Sequence, residues 1–302
     1  MATLDELLEK AATEKDVVVA VASAADEEVL EAVHLAVENG LASFILFDNE
    51  RHISNILNEK FPQLLASRKV LIQHTESEVH SAEEAVKSVS SGHAQVLMKG
   101  NLPTAVILKA VLNGDYGLRT GKILSHIAAF EVPNYDRLLF VTDAAMNIAP
   151  DLEAKAQIIR SAVATAHACG VRRPIVAPLA AIETVNPAMV PTTDAASLVV
   201  MNQRGQIDGC IIDGPLALDN AVSEKAASQK GLTGETAGKA DILVVPNIEA
   251  GNILYKSLMY FANAKVGAII QGARSPIVLT SRADSAESKL YSLALAILST
   301  SK

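Results

Sequence analysis

Short β-rich runs alternate with longer helical patterns along almost the whole chain, and this alternation constrains the fold more than any other feature. The expected strands are compact aliphatic or β-branched runs that end at polar residues or glycine. They are Val17–Ala22, Ser43–Phe47, Lys69–Gln73, Gln95–Met98, Arg137–Val141, Pro174–Ala177, Gly209–Ile212, Ile242–Val245, Gly267–Ile270 and Ile277–Leu279. Strands apolar on both faces, separated by helices, are typical of a parallel-rich sheet covered by helices on each side. The sequence therefore predicts an α/β fold.

Helical periodicity is clearest at Glu27–Glu38, which Asp26 can cap and Gly40 can end. Further helices are expected at Leu152–Ala168, Asp194–Met201, Ala250–Phe261 and Ser285–Leu298. At roughly 150 residues per domain, the 302 residues predict two domains. No low-complexity linker separates them, so we expect intimately connected domains. Ligands of open α/β sheets bind beyond the carboxyl ends of the strands, which is where candidate site residues are sought.

The charge and cysteine content restrict the class of protein and its compartment. A formal net charge of −8, only 4% aromatic residues and no Trp exclude the basic, stacking surface that nucleic acid requires. The two cysteines, Cys169 and Cys210, lie in apolar stretches and favour a reducing cytoplasm over a disulfide framework. The N-terminal segment lacks the regions of a secretory signal, and no apolar run reaches the ~18–20 residues of a membrane span. We therefore expect a soluble, cytoplasmic protein without a membrane partner.

The common nucleotide and metal motifs are absent from the sequence. No G-x-G-x-x-G fingerprint or G-x-S-x-G elbow occurs. Gly121-Lys122 resembles the end of a P-loop, but Tyr116 occupies the position of its first glycine and Ile123 that of its Ser or Thr. The histidines and cysteines show no metal-ligand spacing. We therefore expect no metal site.

A polar turn between the last expected strand and helix contains Ser281, Arg282, Asp284 and Glu287. Backbone amides at such a turn attract anions, and a guanidinium supplies a donor fork that matches phosphate oxygens. The structural alternative is that Asp284 caps the helix, Glu287 completes a capping box and Arg282 is a surface charge. The turn alone favours this alternative.

A second strand–loop–helix junction contains Asn247, Gly251 and Asn252. Asn247 is a plausible helix cap, and Asn252 offers an amide donor within the first turn. Glycine in the first turns of a helix lowers the stability of the helix by about 1 kcal/mol relative to alanine. Gly251 therefore indicates either close approach of a ligand or of backbone, or a helix–helix contact.

Four further polar residues follow expected strands or lie in polar turns: Lys99, Arg119, Asp143 and Asn147. Lys99 and Arg119 can bind an anion, but an ordinary loop lysine and an exposed arginine explain them equally well. Asp143 and Asn147 can equally be turn or cap residues.

Taken together, these segments resemble the phosphate acetyl/butyryltransferase family. The likeness covers nearly the whole chain and is strongest over roughly 70 residues of its last third. The segments that carry it are Asp213-Gly214-Pro215-Leu216, Ala237-Gly238-Lys239-Ala240-Asp241, Pro246–Lys256, Ile270-Gln271-Gly272-Ala273-Arg274-Ser275-Pro276 and Thr280-Ser281-Arg282. Lys99-Gly100 and the run from Phe140 to Asn147 look more like the butyryl branch than the acetyl branch.

The resemblance implies a two-domain architecture like that of isocitrate and isopropylmalate dehydrogenases, with the active site in the interdomain cleft. One discontinuous domain is expected over residues 1–136 and 275–302, and an inserted domain over residues 137–274. Family members are dimers or larger homo-oligomers. The implied reaction is butanoyl-CoA + orthophosphate ⇌ butanoyl phosphate + CoA, with coenzyme A as a substrate and without a metal or nicotinamide.

The resemblance also implies roles for the site residues. Ser281 and Arg282 are expected in the CoA and phosphate site, while Asn247, Gly251 and Asn252 shape the phosphate pocket. Lys99, Arg119, Asp143 and Asn147 are further substrate-binding candidates. The family's proposed base is an aspartate seven residues after the motif serine, but Ser288 stands there in this chain. Glu287 or Asp284 is expected to substitute for it.

Three alternatives differ from this expectation. A phosphate acetyltransferase would use the same chemistry with a smaller acyl pocket. A decarboxylating dehydrogenase on the same fold would need a nicotinamide site and usually a carboxylate-bound metal. A non-catalytic regulator that binds CoA or acyl phosphate is supported only by the departure at Ser288.

Overall fold

The computed structural model describes residues 3–279 and 284–300. Its strands are β1 (Val18–Ala22), β2 (Ser43–Asp48), β3 (Val70–His74), β4 (Val96–Lys99), β5 (Ser125–Glu131), β6 (Leu139–Thr142), β7 (Ile175–Pro178), β8 (Ile211–Ile212), β9 (Ile242–Val244), β10 (Lys265–Gln271) and β11 (Ile277–Val278). Its helices are α1 (Leu4–Ala11), α2 (Glu27–Glu38), α3 (Glu50–Lys60), α4 (Pro62–Leu65), α5 (Glu78–Ser90), α6 (Thr104–Val111), α7 (Leu152–Ala168), α8 (Val190–Gln203), α9 (Leu218–Val222), α10 (Glu224–Gln229), α11 (Ile248–Tyr260) and α12 (Ala286–Leu298).

The chain forms two compact units. The central unit comprises Ile123–Val266, and the terminal unit comprises Leu4–Lys122 together with Gly267–Lys302. The domain boundaries expected from the sequence, after residues 136 and 274, stay a prediction.

The terminal unit contains strands in the order β3-β2-β1-β4-β11-β10. The pairs from β3 to β11 are parallel, and β10 runs antiparallel to β11. Helix α12 is buried from Ser288 to Leu298 because α1 and α2 pack against it. It approaches β10 so closely that a Cβ on Gly267 would lie 2.8 Å from the carbonyl carbon of Tyr291. This apolar helix and the strands form the core of the unit.

The central unit contains strands in the order β5-β6-β9-β7-β8. Strands β6, β9, β7 and β8 pair in parallel, and β5 runs antiparallel to β6. The carboxyl ends of β6 and β9 lie side by side, with Thr142 opposite Val244. The turns that follow these two strands are therefore neighbours.

The predicted α/β class is confirmed, and each expected strand and helix has a counterpart in the structure. Asp26 caps α2 by accepting a hydrogen bond from the amide of Val29 over 3.1 Å, as expected. Strand β5 was not predicted, because Ile127 is the one β-branched residue among the seven of Ser125–Glu131. Helix α8 begins four residues before the expected Asp194, with Pro191 in its first turn.

Candidate functional site

The turn after β6 is organised by a buried carboxylate. Asp143 is 2% exposed, and its Oδ1 accepts hydrogen bonds from the amides of Ala145 and Met146 over 3.0 and 2.9 Å. Its Oδ2 accepts from Nδ2 of Asn147 over 2.6 Å, and the same nitrogen donates to the carbonyl of Leu124 over 2.8 Å. Both oxygens of Asp143 therefore have donors within the turn, which gives this carboxylate a positioning role.

The turn after β9 leads directly into α11. Asn247 has extended backbone dihedrals and accepts a hydrogen bond from the amide of Ala250 over 2.9 Å. The capping interpretation of Asn247 is therefore confirmed. The amide of Ile248 donates to the carbonyl of Ile148 over 2.9 Å, which ties this junction to the end of the Asp143 turn.

Gly251 allows α11 to lie against the Asp143 turn. A Cβ at this position would be 2.7 Å from the carbonyl oxygen of Asp143 and 2.9 Å from Cα of Ala144. Any larger residue would push the two backbones apart. Of the two explanations considered for Gly251, close approach of backbone is therefore correct, and the helix–helix contact is wrong.

The central unit thus brings five expected site residues into one region, which we call the α11 corner: residues 143–147 and 247–252. The first turn of α11 points its amides and the positive end of its dipole out of this corner. Asn252 is exposed on that turn. The corner therefore offers neutral hydrogen-bond donors and a helix dipole, which suit an anion.

In the terminal unit, Lys99 lies at the carboxyl end of β4. Its side chain is buried, and Nζ donates to the carbonyl of Gly100 over 3.1 Å. Met98 is paired with Val278, so β4 and β11 end side by side. Lys99 consequently places a buried amino group at the strand edge from which the polar turn begins.

Arg119 lies in the turn after α6. The amide of Arg274 donates to the carbonyl of the neighbouring Leu118 over 2.8 Å, which holds this turn in place. The Arg119 side chain is exposed, and within residues 3–279 and 284–300 it makes no hydrogen bond or ion pair. Its guanidinium donors are therefore available to an anionic ligand.

The polar turn before α12 is described only in part. Ser281 and Arg282 lie outside the described residues. Asp284 is half-buried, and its carbonyl accepts a hydrogen bond from Nζ of Lys289. Glu287 is exposed, and its Oε1 accepts from the hydroxyl of Tyr291 over 3.1 Å. Glu287 therefore presents a carboxylate at the start of α12.

The capping interpretation of this turn was wrong in its details. The cap of α12 is Ser285 rather than Asp284, and its Oγ accepts a hydrogen bond from the amide of Ser288 over 3.2 Å. Because the helix begins one residue later than a cap at Asp284 requires, Glu287 is not the third helical residue. It cannot complete a capping box.

A wide apolar groove beside α11 was not predicted from the sequence. It has a volume of about 730 Å³, and its walls come from the turn after β7, the start of α8 and one side of α11. Lys155 and Asp194 form a largely buried ion pair of 2.6 Å beneath it, between α7 and α8. The sequence signal for the groove was present in the apolar residues Ala250 and Leu254, which recur at helical spacing.

Two observations concern chemistry outside these residues. Burial, with a smaller contribution from the charge of Asp208, raises the pKa of Cys210 to about 11, so its thiol is a poor nucleophile near neutral pH. Within the described part of the chain, no three His, Cys, Asp or Glu side chains cluster closely enough to hold a metal ion.

No helix in the part of the chain that the structure describes combines the length and apolar character needed to cross a membrane.

Comparison with known proteins gives a consistent result. The family model described as phosphate acetyl/butaryl transferase matches residues 57–297. A probable phosphate butyryltransferase of Bacillus subtilis (strain 168) is 55% identical over 294 residues, which cover 97% of each chain. A phosphate acetyltransferase of Thermotoga maritima is 46% identical over 276 residues, covering 91% of this chain and 92% of the relative.

Solved structures agree with the sequence comparison. A branched-chain phosphotransacylase from Enterococcus faecalis V583 superimposes with a TM-score of 0.82 at 37% identity, covering 94% of this chain and 99% of the other. A 4-hydroxythreonine-4-phosphate dehydrogenase from Klebsiella pneumoniae shares the fold, with a TM-score of 0.55 and 12% identity over 94% of this chain and all of the other. The expected likeness to a dehydrogenase fold is confirmed.

Proposed function

Because the chain belongs to the phosphate acetyl/butaryl transferase family, we propose that it exchanges a short-chain acyl group between coenzyme A and orthophosphate. Butanoyl-CoA and its branched analogues are the expected donors. The observation that carries this proposal is the 55% identity, over nearly the full length of both chains, to a probable phosphate butyryltransferase. It outweighs the shared dehydrogenase fold, because one fold supports many activities.

The reaction uses two nucleophiles, a phosphate oxygen and the CoA sulfur, and each attacks the same acyl carbonyl carbon in one of the two directions. In one direction a phosphate oxygen attacks the thioester carbonyl, the C–S bond breaks, and the CoA thiolate leaves and takes up a proton. In the other direction the thiol must first lose that proton, because thiolate is the nucleophile. A carboxylate near the sulfur serves as general base.

The roles of the residues follow from their chemistry. We assign Ser281 and Arg282 to the CoA and phosphate site, where Arg282 binds the phosphoryl group. Glu287, or alternatively Asp284, is assigned to the proton. Glu287 is supported by its exposure at the start of α12.

The α11 corner is assigned to the phosphate. Asn247 and Asn252 contribute polar side chains to the first turn of α11, and Gly251 lets that turn approach the Asp143 turn. Asp143 and Asn147 hold the turn in place through the hydrogen bonds described above. Fixed donors of this kind stabilise charge that develops during acyl transfer.

Lys99 and Arg119 are assigned to anionic groups of the substrates. The exposed guanidinium of Arg119 supports this assignment most directly. Lys99 is supported by the position of its buried side chain at the carboxyl end of β4. We expect no permanently bound cofactor, a cytoplasmic location and a homo-oligomeric state.

Release of free thiol from acyl-CoA, with and without phosphate, tests the proposed activity. We expect phosphate-dependent release that is faster with butanoyl- and branched acyl-CoA than with acetyl-CoA. A preference for acetyl-CoA would instead identify a phosphate acetyltransferase. Absence of release with every short-chain donor would refute the transferase proposal and leave a binding protein. Nicotinamide reduction with a malate-type substrate would indicate a dehydrogenase.

Replacing Arg282 tests the anion site. Arg282→Ala should lower turnover at least roughly tenfold, equivalent to about 1.4 kcal/mol of barrier, because a charged donor to the phosphoryl group is lost. Arg51→Ala, which removes an exposed arginine from α3, serves as the matched control and should leave turnover unchanged. Equal kinetics for Arg282→Ala and wild type would remove Arg282 from the mechanism.

A further inference from the structure

The apolar groove beside α11 adjoins the α11 corner within the central unit. Pro246 and Ala250 line the groove, and they immediately precede Asn247 and Gly251, which the proposed function assigns to the phosphate pocket. Strands β7 and β9 pair in parallel, and the groove is lined by the first residues after both strands. Ligands of such sheets bind beyond the carboxyl ends of the strands. A ligand held at the corner can therefore extend into the groove.

The lining of the groove selects one part of the substrates. Each residue that the structure places along its walls is Ala, Val, Leu, Met or Pro. A hydrocarbon chain gains free energy when it leaves water for such surroundings. The phosphates, the adenine and the amide groups of CoA would instead lose their hydrogen bonds to water without replacement. The groove therefore fits the hydrocarbon part of the acyl group.

The floor of the groove is apolar although a charged pair lies beneath it. Lys155 on α7 and Asp194 on α8 form their ion pair at 2.6 Å. Leu179, Pro191 and Val245 line both the groove and the small cavity beside this pair, so they lie between the groove and the charges. The pair joins α7 to α8 and thereby holds the wall that the start of α8 contributes. The groove is therefore formed without a ligand.

We propose that the groove holds the hydrocarbon chain of the acyl group while phosphate occupies the α11 corner, so that Ala181, Ala188 and Met189 help to set which chains are accepted. This role rests on the acyl exchange proposed above. The volume of about 730 Å³ lies within the range of roughly 300–1,000 Å³ that is typical of small-molecule sites. Its width therefore admits branched chains as well as a linear four-carbon chain.

This placement also locates the reacting carbon. The acyl carbonyl carbon joins the hydrocarbon chain to the oxygen of the attacking phosphate. It therefore lies where the groove meets the corner, at Pro246 and Ala250. There the new C–O bond forms to phosphate and the C–S bond to CoA breaks, as described above. The groove residues touch only the chain, so they contribute to binding and specificity rather than to bond making.

Two alanines allow the groove to be filled without disturbing the core. Ala181 follows β7 and Ala188 precedes α8, and both are exposed where they line the groove. Ala181→Phe and Ala188→Phe each add a ring to the groove from a different position. Ala66, which is exposed at the end of α4 in the terminal unit, provides the matched control. Ala66→Phe adds the same atoms away from the groove.

The test is kcat/KM for phosphate-dependent thiol release from acetyl-, butanoyl- and 3-methylbutanoyl-CoA. Ala181→Phe and Ala188→Phe should each lower the ratio of butanoyl to acetyl at least roughly tenfold, because the longer chain loses its place in the groove. The ratio for 3-methylbutanoyl should fall further. The loss should appear in KM with kcat retained, since the chain makes the same contacts before and during the reaction. Ala66→Phe should keep the wild-type ratios.

Unchanged ratios in both groove variants, or an equal loss with acetyl-CoA in variants that unfold in urea like wild type, would overturn the assignment of the groove. If one variant does not fold, the other decides.

Calorimetric titration with S-butyl-CoA, a thioether that cannot transfer its chain, gives a readout independent of turnover. Its Kd should rise at least roughly tenfold in the groove variants, while the Kd of CoA itself stays unchanged. An unchanged Kd for S-butyl-CoA would overturn the assignment. A wild type that transfers no acyl group would refute the proposed function, whereas acyl transfer with ratios insensitive to the groove variants would refute the groove assignment alone.

Discussion

At the scale of single residues, the charged side chains inside the central unit are held by nearby partners. Asp143 accepts three hydrogen bonds within its own turn, and Lys155 pairs with Asp194 at 2.6 Å. Removing one partner from such a buried pair costs about 3–5 kcal/mol, because it leaves an uncompensated charge. These charges therefore support the walls of the α11 corner and of the groove.

Cys210 should react slowly with alkylating reagents, because burial raises its pKa from 9.0 to about 11. In a Cys169→Ala variant at pH 8, alkylation by iodoacetamide followed by mass spectrometry should be roughly a hundredfold slower than that of a free thiol. The rate should rise about tenfold per pH unit, because only the thiolate reacts. The unfolded variant is the control and should react rapidly. Rapid alkylation of the folded variant at pH 8 would contradict the raised pKa.

Asn247 has a measurable capping role and a proposed role in binding phosphate, and serine separates the two. Asn247→Ser should keep stability within about 0.5 kcal/mol, because serine caps helices as well as asparagine does. If the amide also binds phosphate, the KM for phosphate should rise at least roughly tenfold, because its donor is lost. Asn247→Ala should additionally lose about 1 kcal/mol of stability. An unchanged KM in Asn247→Ser would restrict Asn247 to capping.

The cap at Asn247 could be predicted because caps depend on residues only three positions apart. The same local argument placed the cap of α12 one residue too early, since Asp284 and Ser285 are both good caps and the sequence alone does not choose between them. The closeness of Gly251 to the carbonyl of Asp143 involves residues more than a hundred positions apart. No local pattern can show such a contact.

At the scale of elements, the contact between α11 and the Asp143 turn should decide the effect of a Cβ at Gly251. Alanine normally stabilises a helix by about 1 kcal/mol relative to glycine. Here Gly251→Ala should instead lose about 1–3 kcal/mol, because the added atom would lie within 3 Å of the turn. Urea unfolding and the steady-state turnover are the measurements, and both should fall.

Gly114→Ala is the control for this substitution. No atom lies within 4 Å of a Cβ at Gly114, so this change should be tolerated without loss of stability or turnover. A stabilised and fully active Gly251→Ala would show that the turn moves aside easily and that the close approach is unimportant.

Elements with strong boundaries were predictable, and elements defined by their neighbours were not. Helix α7 has the predicted bounds because Asp151 caps it and its periodicity is regular. Strand β5 owes its conformation to pairing with β6 rather than to its own residues. The apolar residues Ile253, Tyr260 and Phe261 of α11 resemble an ordinary buried helix face in the sequence, and only the structure shows that they are exposed.

At the scale of the whole molecule, the fold class and the family could both be predicted from the sequence. The fold class follows from the alternation of elements, and the family follows from motifs in fixed order over the last third of the chain. The acyl specificity could not be predicted, because one methylene changes binding by only ~1–3 kcal/mol and depends on a few pocket side chains. The turn at residues 281–282, which holds the proposed phosphate ligands, lies outside the described residues.

The central claim is that a phosphate oxygen replaces the CoA sulfur directly on the acyl carbon. Butanoyl-CoA incubated with the protein and fully ¹⁸O-labelled phosphate, followed by ³¹P NMR, tests it. The predicted product is butanoyl phosphate with every phosphate oxygen still labelled, formed in equal amount to the released CoA. Release of CoA without acyl phosphate, or a product in which one labelled oxygen has been lost, would contradict direct exchange.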